Sequence, residues 1–208
     1  VACVVSERAS RSQSVTLLMA CAAVFAAGYQ LTLRRALRLE DLPGSQGPWD
    51  AWVPFWPASI VVYCSINVAY VLAFFVARDG VSLHRLAARL LLVQLACFAC
   101  FAWWPMRLQR WPDVGGSVWA PWFQALATFD GASNLVPSLH VAILGVLWSH
   151  WRSVLSARWA RGGCDAWAVG VALSALTTWQ HNVIDVLAGA GLAWVVVRWV
   201  VRDETAPS

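Results

Sequence analysis

Apolar residues gather along this chain into six long runs, separated by short polar punctuation. The runs cover residues 15–33, 58–77, 86–105, 138–155, 164–181 and 182–201. A helix needs about 20 predominantly apolar residues to cross a bilayer, because each adds ~1.5 Å across a ~30 Å hydrocarbon core. Each run approaches that length. The fourth is interrupted by Ser149, His150 and Arg152. The last two almost abut, which predicts a tight helical hairpin turning at residues 181–183. The first follows Arg8 and Arg11 and is rich in Ala and Gly. Its apolar part is too long for the core of a cleaved signal peptide, and further spans follow, so it reads as a retained helix. The pattern predicts an all-α fold: one domain over residues 1–208, built as a six-helix transmembrane bundle.

The third connection, residues 106–137, is longer than the others and is not simply polar. Residues 119–129 (Trp-Ala-Pro-Trp-Phe-Gln-Ala-Leu-Ala-Thr-Phe) predict a short amphipathic helix lying in the membrane interface. Gly189-Ala-Gly191 offers small residues for close helix contact in the sixth run. Residues 203–208 read as a disordered tail.

Composition sharpens this picture. The chain is 60% hydrophobic and 12% charged, against about 25% charged in soluble domains. All fifteen basic residues are arginine. They are scattered between the apolar runs and form no stripe, which speaks against a nucleic-acid surface. Counted over short loops, a cytoplasmic N-terminus puts Arg8, Arg11, Arg78, Arg85, Arg152, Arg158, Arg161, Arg198 and Arg202 inside. It leaves Arg34, Arg35, Arg38, Arg107 and Arg110 outside, an asymmetry that favours both termini in the cytoplasm. Loops three and five then open on the outer face, the periplasm of a Gram-negative cell. They share a face whichever way the protein inserts.

Fifteen tryptophans are present, many where an apolar run meets a polar one, as at Trp49, Trp52, Trp56, Trp103, Trp104, Trp111, Trp119 and Trp122. That placement fits an interfacial belt. Cys21, Cys64, Cys97 and Cys100 lie inside apolar runs and read as small hydrophobes. Cys97-x-x-Cys100 has redox spacing without the βαβ context that would give it meaning.

Polar groups at membrane depth cost ~2.5–3.5 kcal/mol when charged, so those near the outer face need a reason. Three groups stand out. Pro137-Ser138-Leu139-His140 opens the fourth run. A helix start there presents free amides and a positive dipole end to an anion. The plainer alternative is an ordinary helix start with a satisfied histidine. His181-Asn-Val-Ile-Asp185 has i,i+4 spacing, which puts imidazole and carboxylate on one helix face. The carboxylate can accept from Nδ1–H and leave Nε2 as nucleophile or base, or the pair can simply hide two polar groups between helices. Arg107 and Arg110, with Pro112, follow the third run. Their guanidinium forks suit phosphate oxygens, or they snorkel among headgroups. Asp130 and Asn134 read as turn and cap residues. Together these groups describe phosphoryl transfer. One histidine attacks phosphorus, the other protonates the leaving oxygen, and the arginines stabilise the equatorial oxygens. The four histidines are scattered and make no zinc cluster. No cofactor is required.

Pro-Ser-Leu-His-Val-Ala (137–142) and Gln-His-Asn-Val-Ile-Asp-Val-Leu-Ala-Gly (180–189) resemble the second and third signatures of the type 2 phosphatidic acid phosphatase superfamily. That superfamily includes lipid phosphotransferases of the inositol phosphorylceramide synthase type. Phe129-Asp130-x-x-x-Asn134 is similar to its bacterial inner-membrane members. The specific motifs lie within residues 103–189. The resemblance implies His181 as a nucleophile forming phosphohistidine and Asp185 as the residue that orients it. It implies His140 as general acid and later base, and Ser138 with its neighbouring amides as phosphate ligands. Two departures stand out. Trp103 occupies the position of the first signature's lysine, and Trp111 separates Arg110 from Pro112. In the third signature Ser174 is present, but Ala175 replaces the arginine.

The expectation is a metal-independent lipid phosphatase of a bacterial inner membrane, acting on a lipid phosphate or diphosphate at the periplasmic face. Its partners are that substrate and membrane lipids. The alternatives are a headgroup phosphotransferase and a catalytically silent scaffold. No row of polar residues continues through the bundle, which disfavours a channel. Oligomeric state and the identity of the lipid stay open.

Overall fold

The computed structural model describes residues 9–111, 113–129 and 133–200. Asp130, Pro112, Arg8, Arg202 and the tail lie outside them. The described chain is all-helical, with seven α-helices. These are α1 (Arg11–Ala36), α2 (Ile60–Phe75), α3 (Gly80–Trp103), α4 (Ala120–Phe129), α5 (Leu139–Val154), α6 (Arg158–Thr177) and α7 (Val183–Val195). Short 3-10 turns at Pro48–Trp52 and Pro57–Ser59 lead into α2, and a π turn, Val196–Val200, extends α7. Every apolar run contains a helix, and the short helix of the third connection is present as α4.

Three helices are long and apolar enough to cross a membrane: Arg11–Ala36, Pro57–Phe75 and Gly80–Trp103. They mark the chain as membrane-associated. The helices of the last three runs differ. α5 has 16 residues and α7 has 13, whereas α6 has 20 but opens with Arg158 and Arg161 and carries Asp165. α6 also starts six residues before its apolar run, and it stops at Thr177 because residues 178–182 form the turn into α7.

Local chemistry fixes the helix starts. Ser10 Oγ accepts from the Gln13 amide while Gln13 Oε1 accepts from Ser10 N, a reciprocal cap for α1. Asp79 accepts from the Ser82 amide at 2.7 Å and opens α3. Ser138 Oγ accepts from the Val141 amide and opens α5.

α3 is the inner helix. Its Leu83, Leu86, Leu90, Val93, Cys97 and Phe101 recur at helical spacing and are nearly inaccessible to solvent. The same helix buries Arg89 and Gln94, polar positions at bundle depth that the apolar pattern passed over. The outer helices instead expose apolar side chains: Met19 and Leu31 on α1, Val68, Leu72 and Phe75 on α2, and Leu187 on α7.

The α1–α2, α3–α5 and α6–α7 connections meet at one end. The Arg107 amide donates to Pro43 O at 2.8 Å, and the Trp56 amide donates to Thr177 O at 2.8 Å. At the opposite end Arg78 reaches Val154 O, and Ser14 Oγ donates to Phe74 O.

Glycines let α5 and α7 pack tightly. A Cβ at Gly189 would sit 2.4 Å from Ser138 O, and one at Gly145 would sit 2.5 Å from Ala193 Cβ. Only hydrogen fits at either place, so the backbones approach closely. Gly191, expected to share this role, faces open space.

Candidate active site

The starts of α5 and α7 are tied directly. The Ser138 amide donates to Asp185 O at 2.9 Å, beside the Gly189 contact. This junction brings His140 and His181 to one cavity of about 400 Å³, which both side chains line. Its walls come from α1, α2, α4 and α5 and include Phe25, Tyr29, Tyr63, Leu126 and Ile143.

His140 is the second residue of α5, and its ring stacks on Tyr63 with centroids 3.8 Å apart and planes 6° from parallel. Its Nε2 is closed off from solvent and has no hydrogen-bond partner. Buried polar atoms are nearly always paired, so an orphan on a side chain that lines a cavity points to a missing ligand.

His181 does not share a helix face with Asp185, as its spacing suggested. It sits in the turn before α7, its amide donating to Ala175 O at 3.0 Å. Asn182 is the N-cap, and Asp185 reaches back from the first turn of the helix. Asp185 Oδ2 accepts from the Asn182 amide at 2.8 Å and lies 3.5 Å from His181 Nδ1. No hydrogen bond joins them, and Nδ1 is buried without a hydrogen-bond partner. Imidazole and carboxylate therefore meet across a helix cap. Asp185 is fully buried, and its other oxygen is unpaired.

The turn itself is unusual. Trp179 has φ +57°, in the left-handed region that a bulky side chain adopts only when its surroundings enforce it. Those surroundings are visible. The indole donates to Val53 O at 3.3 Å, and the Arg110 guanidinium lies 3.6 Å above the ring. Arg110 also donates to the carbonyls of Asp50 and Val53. Partial desolvation pushes its pKa below the ordinary arginine value, and the nearby Asp50 carboxylate works in the opposite direction. In this structure Arg110 clamps the turn that carries His181, and it does not line the cavity.

The other expected residues take varied positions around this junction. Arg107 is exposed, with only its backbone tied to the first connection. Ser138 is fully buried and serves as the α5 cap. Asn134 lines the cavity, donates to Tyr29 O at 3.1 Å and leaves Oδ1 unpaired. Ser174 donates to Val171 O within α6. Trp103, at the lysine position of the first signature, is 91% exposed, and Ala175 is fully buried.

Sequence reasoning missed Asp50. This buried carboxylate accepts from the Val183 amide at 2.8 Å and the Gly47 amide at 2.7 Å, so it caps α7 from another segment. Ser45 pairs with Asn182 nearby. Tyr63 was missed as well. No local motif marks either one, because each acts on a partner far away in the chain. Among the described residues no group of three His, Cys, Asp or Glu side chains could hold a metal ion. No family model, curated protein or solved structure matches the chain.

Proposed function

We propose that this chain is a lipid phosphatase that works through a phosphohistidine on His181. The observation that carries the reading is the shared cavity: two imidazoles distant in sequence line one space, with a buried carboxylate beside Nδ1 of one and an unpaired Nε2 on the other. His181 Nε2 attacks phosphorus as the bond to the lipid oxygen breaks, and His140 gives that oxygen its proton. Water then attacks phosphorus, the P–N bond breaks, and His140 takes the proton from water. Asp185 lies beside Nδ1, and its charge favours the imidazolium-like charge that develops on His181. The first amides of α5 have no intrahelical partners, and Leu139 and His140 line the cavity, so developing negative charge meets donors there.

The six helices that match the apolar runs are read as six spans, with α4 at the interface and the site on the outer face of a bacterial inner membrane. The exposed apolar faces of α1, α2 and α7 support the lipid setting. The common end shared by the first, third and last connections supports a site on one face.

The test is phosphate release by the detergent-solubilised chain from phosphatidate, phosphatidylglycerol phosphate, prenyl diphosphate and sphingoid phosphate, with His181→Ala and His140→Ala beside it. Release that depends on both histidines, with label on the protein after an alkaline quench, supports the reading. A phosphodiester formed only when an alcohol is added identifies a transferase. Histidine-independent release, or none from any lipid, overturns the proposal in favour of a silent scaffold.

A further inference from the structure

One face of α2 runs down the cavity. Tyr63, Ile66, Asn67 and Tyr70 all line it, at the i, i+3, i+4, i+7 spacing of a single helix face. Tyr63 marks the level of His140, on which it stacks. Asn67 then lies about 6 Å deeper along the axis and Tyr70 about 10 Å deeper, at ~1.5 Å per residue.

This depth should be apolar. The segment Pro57–Phe75 has a mean hydropathy of 2.0, the highest of the three long apolar helices. Asn67 nonetheless sits there exposed, with no hydrogen bond among the described residues. An amide without a partner in an apolar medium costs several kcal/mol. Tyr70 is prepared in a particular way. Gln94 Nε2, from fully buried Gln94 on α3, donates to the Tyr70 hydroxyl oxygen at 3.4 Å. With the amide oriented this way, no described residue takes the phenol's own proton. All three tyrosines of the chain line this cavity, and among the described residues no Asp, Glu, Lys or Arg side chain lines it.

We infer that Asn67 and Tyr70, the latter backed by Gln94, form a neutral hydrogen-bonding subsite beneath the histidine pair that takes the ester or amide carbonyls of an acylated lipid phosphate. The inference rests on the phosphatase reading, because it places the phosphorus beside His140 and His181. In an acylated lipid the first carbonyls follow phosphorus within a few bonds, at the depth where these donors lie. An isoprenoid phosphate offers only hydrocarbon there. It would bury the Asn67 amide and the Tyr70 hydroxyl unpaired, and a site built to hydrogen-bond rejects a ligand that lacks the partner. The subsite thus selects by tail chemistry, while the histidines act on a phosphate common to both.

The experiment compares kcat/KM for dioctanoyl phosphatidate and farnesyl phosphate with the full chain in detergent. Wild type should favour the acylated probe. Asn67→Leu and Tyr70→Phe should each shift the ratio of the two kcat/KM values toward farnesyl phosphate by about three- to tenfold. Asn67→Leu places an apolar side chain on an exposed helix face, and Tyr70→Phe keeps the ring, so both variants should fold. If wild type prefers farnesyl phosphate, or neither variant moves the ratio while hydrolysis still needs His181, the subsite is wrong and the phosphatase reading stands. If neither these probes nor the other lipid phosphates named above yield His181-dependent phosphate, both fall together.

Discussion

α5 carries two histidines ten residues apart, about 15 Å along the axis, and the structure treats them in opposite ways. His150 is buried, its Nε2 lies 3.1 Å from Ala73 O, and the space beside it is about 30 Å³. Its carbonyl is also taken, by Ser153 Oγ at 2.7 Å. His140 has the stack on Tyr63 and an orphaned Nε2, beside a cavity of about 400 Å³. One imidazole is consumed by the fold that holds it. The other is held by its face, and its Nε2 is left without a partner. Residue type and helix are shared, so the difference lies in what the neighbours leave undone.

The comparison breaks first under alanine substitution. On the proposed mechanism, His140→Ala and His181→Ala should each lower lipid phosphate hydrolysis by about a thousandfold or more, because the covalent step would lose its nucleophile or its acid. Their thermal midpoints in detergent should stay near wild type. His150→Ala should do the reverse. It should retain most activity and lose about 1–3 kcal/mol of stability, since a buried carbonyl loses its donor. A scan of activity and melting temperature across the three variants checks both halves. An inactive but stable His150→Ala would remove the distinction.

Asp185→Asn sharpens the comparison on the His181 side. An amide oxygen can still accept from the Asn182 amide, so the α7 cap survives, but the negative charge beside Nδ1 is gone. Hydrolysis should fall by about two to four orders of magnitude with little change in KM, as read from steady-state kinetics. A KM effect alone would mean that Asp185 serves binding through the fold and not the reactivity of His181.

How much of this was legible beforehand depends on the range of each interaction. Helix positions derive from apolar runs, a local property, so α1, α2 and α3 fall where the pattern put them. The meeting of His140 with His181 was reachable because loop parity places both at one end. The details were not. The i,i+4 spacing of His181 and Asp185 suggested a helix face, but residues 178–182 leave the helix and Trp179 takes a left-handed conformation held by Arg110 and Val53. Nothing near Trp179 in the sequence announces a clamp some seventy positions earlier. Asp50 escaped for the same reason. Its partners, Gly47 and Val183, are joined only by the packing of the first connection over the last.

Gly189→Val tests the junction that separates the two histidine environments. Its Cβ would fall 2.4 Å from Ser138 O, a backbone atom that cannot swing away. The α5 start must then move relative to α7, at a cost of about 1–3 kcal/mol for overpacking. The shift acts where His140 and His181 converge, so activity should fall more than the thermal midpoint predicts. Gly191→Val meets nothing within 4 Å and serves as the matched control. Equal losses in the two variants would show that close packing at Gly189 has no special bearing on the site.

The smallest expected effect concerns Arg110, where two roles can be told apart. If it clamps Trp179, its value lies in a planar fork that donates to Asp50 O and Val53 O and stacks over the indole. Lysine keeps the charge but has neither the fork nor the stacking plane. Arg110→Lys should therefore loosen the turn by about 0.5–1 kcal/mol, the scale of an exposed cation–π contact. The loss should show as a few-fold drop in kcat, because His181 is less well placed, with KM nearly unchanged. If Arg110 instead grips the phosphate, lysine should restore much of that grip and Arg110→Ala should raise KM strongly while Trp179 keeps its conformation. Indole fluorescence cannot isolate one tryptophan among fifteen, so the kinetic split between kcat and KM across the lysine and alanine variants is the deciding measurement. A clamp predicts that the two variants resemble each other, and a phosphate ligand predicts that they do not.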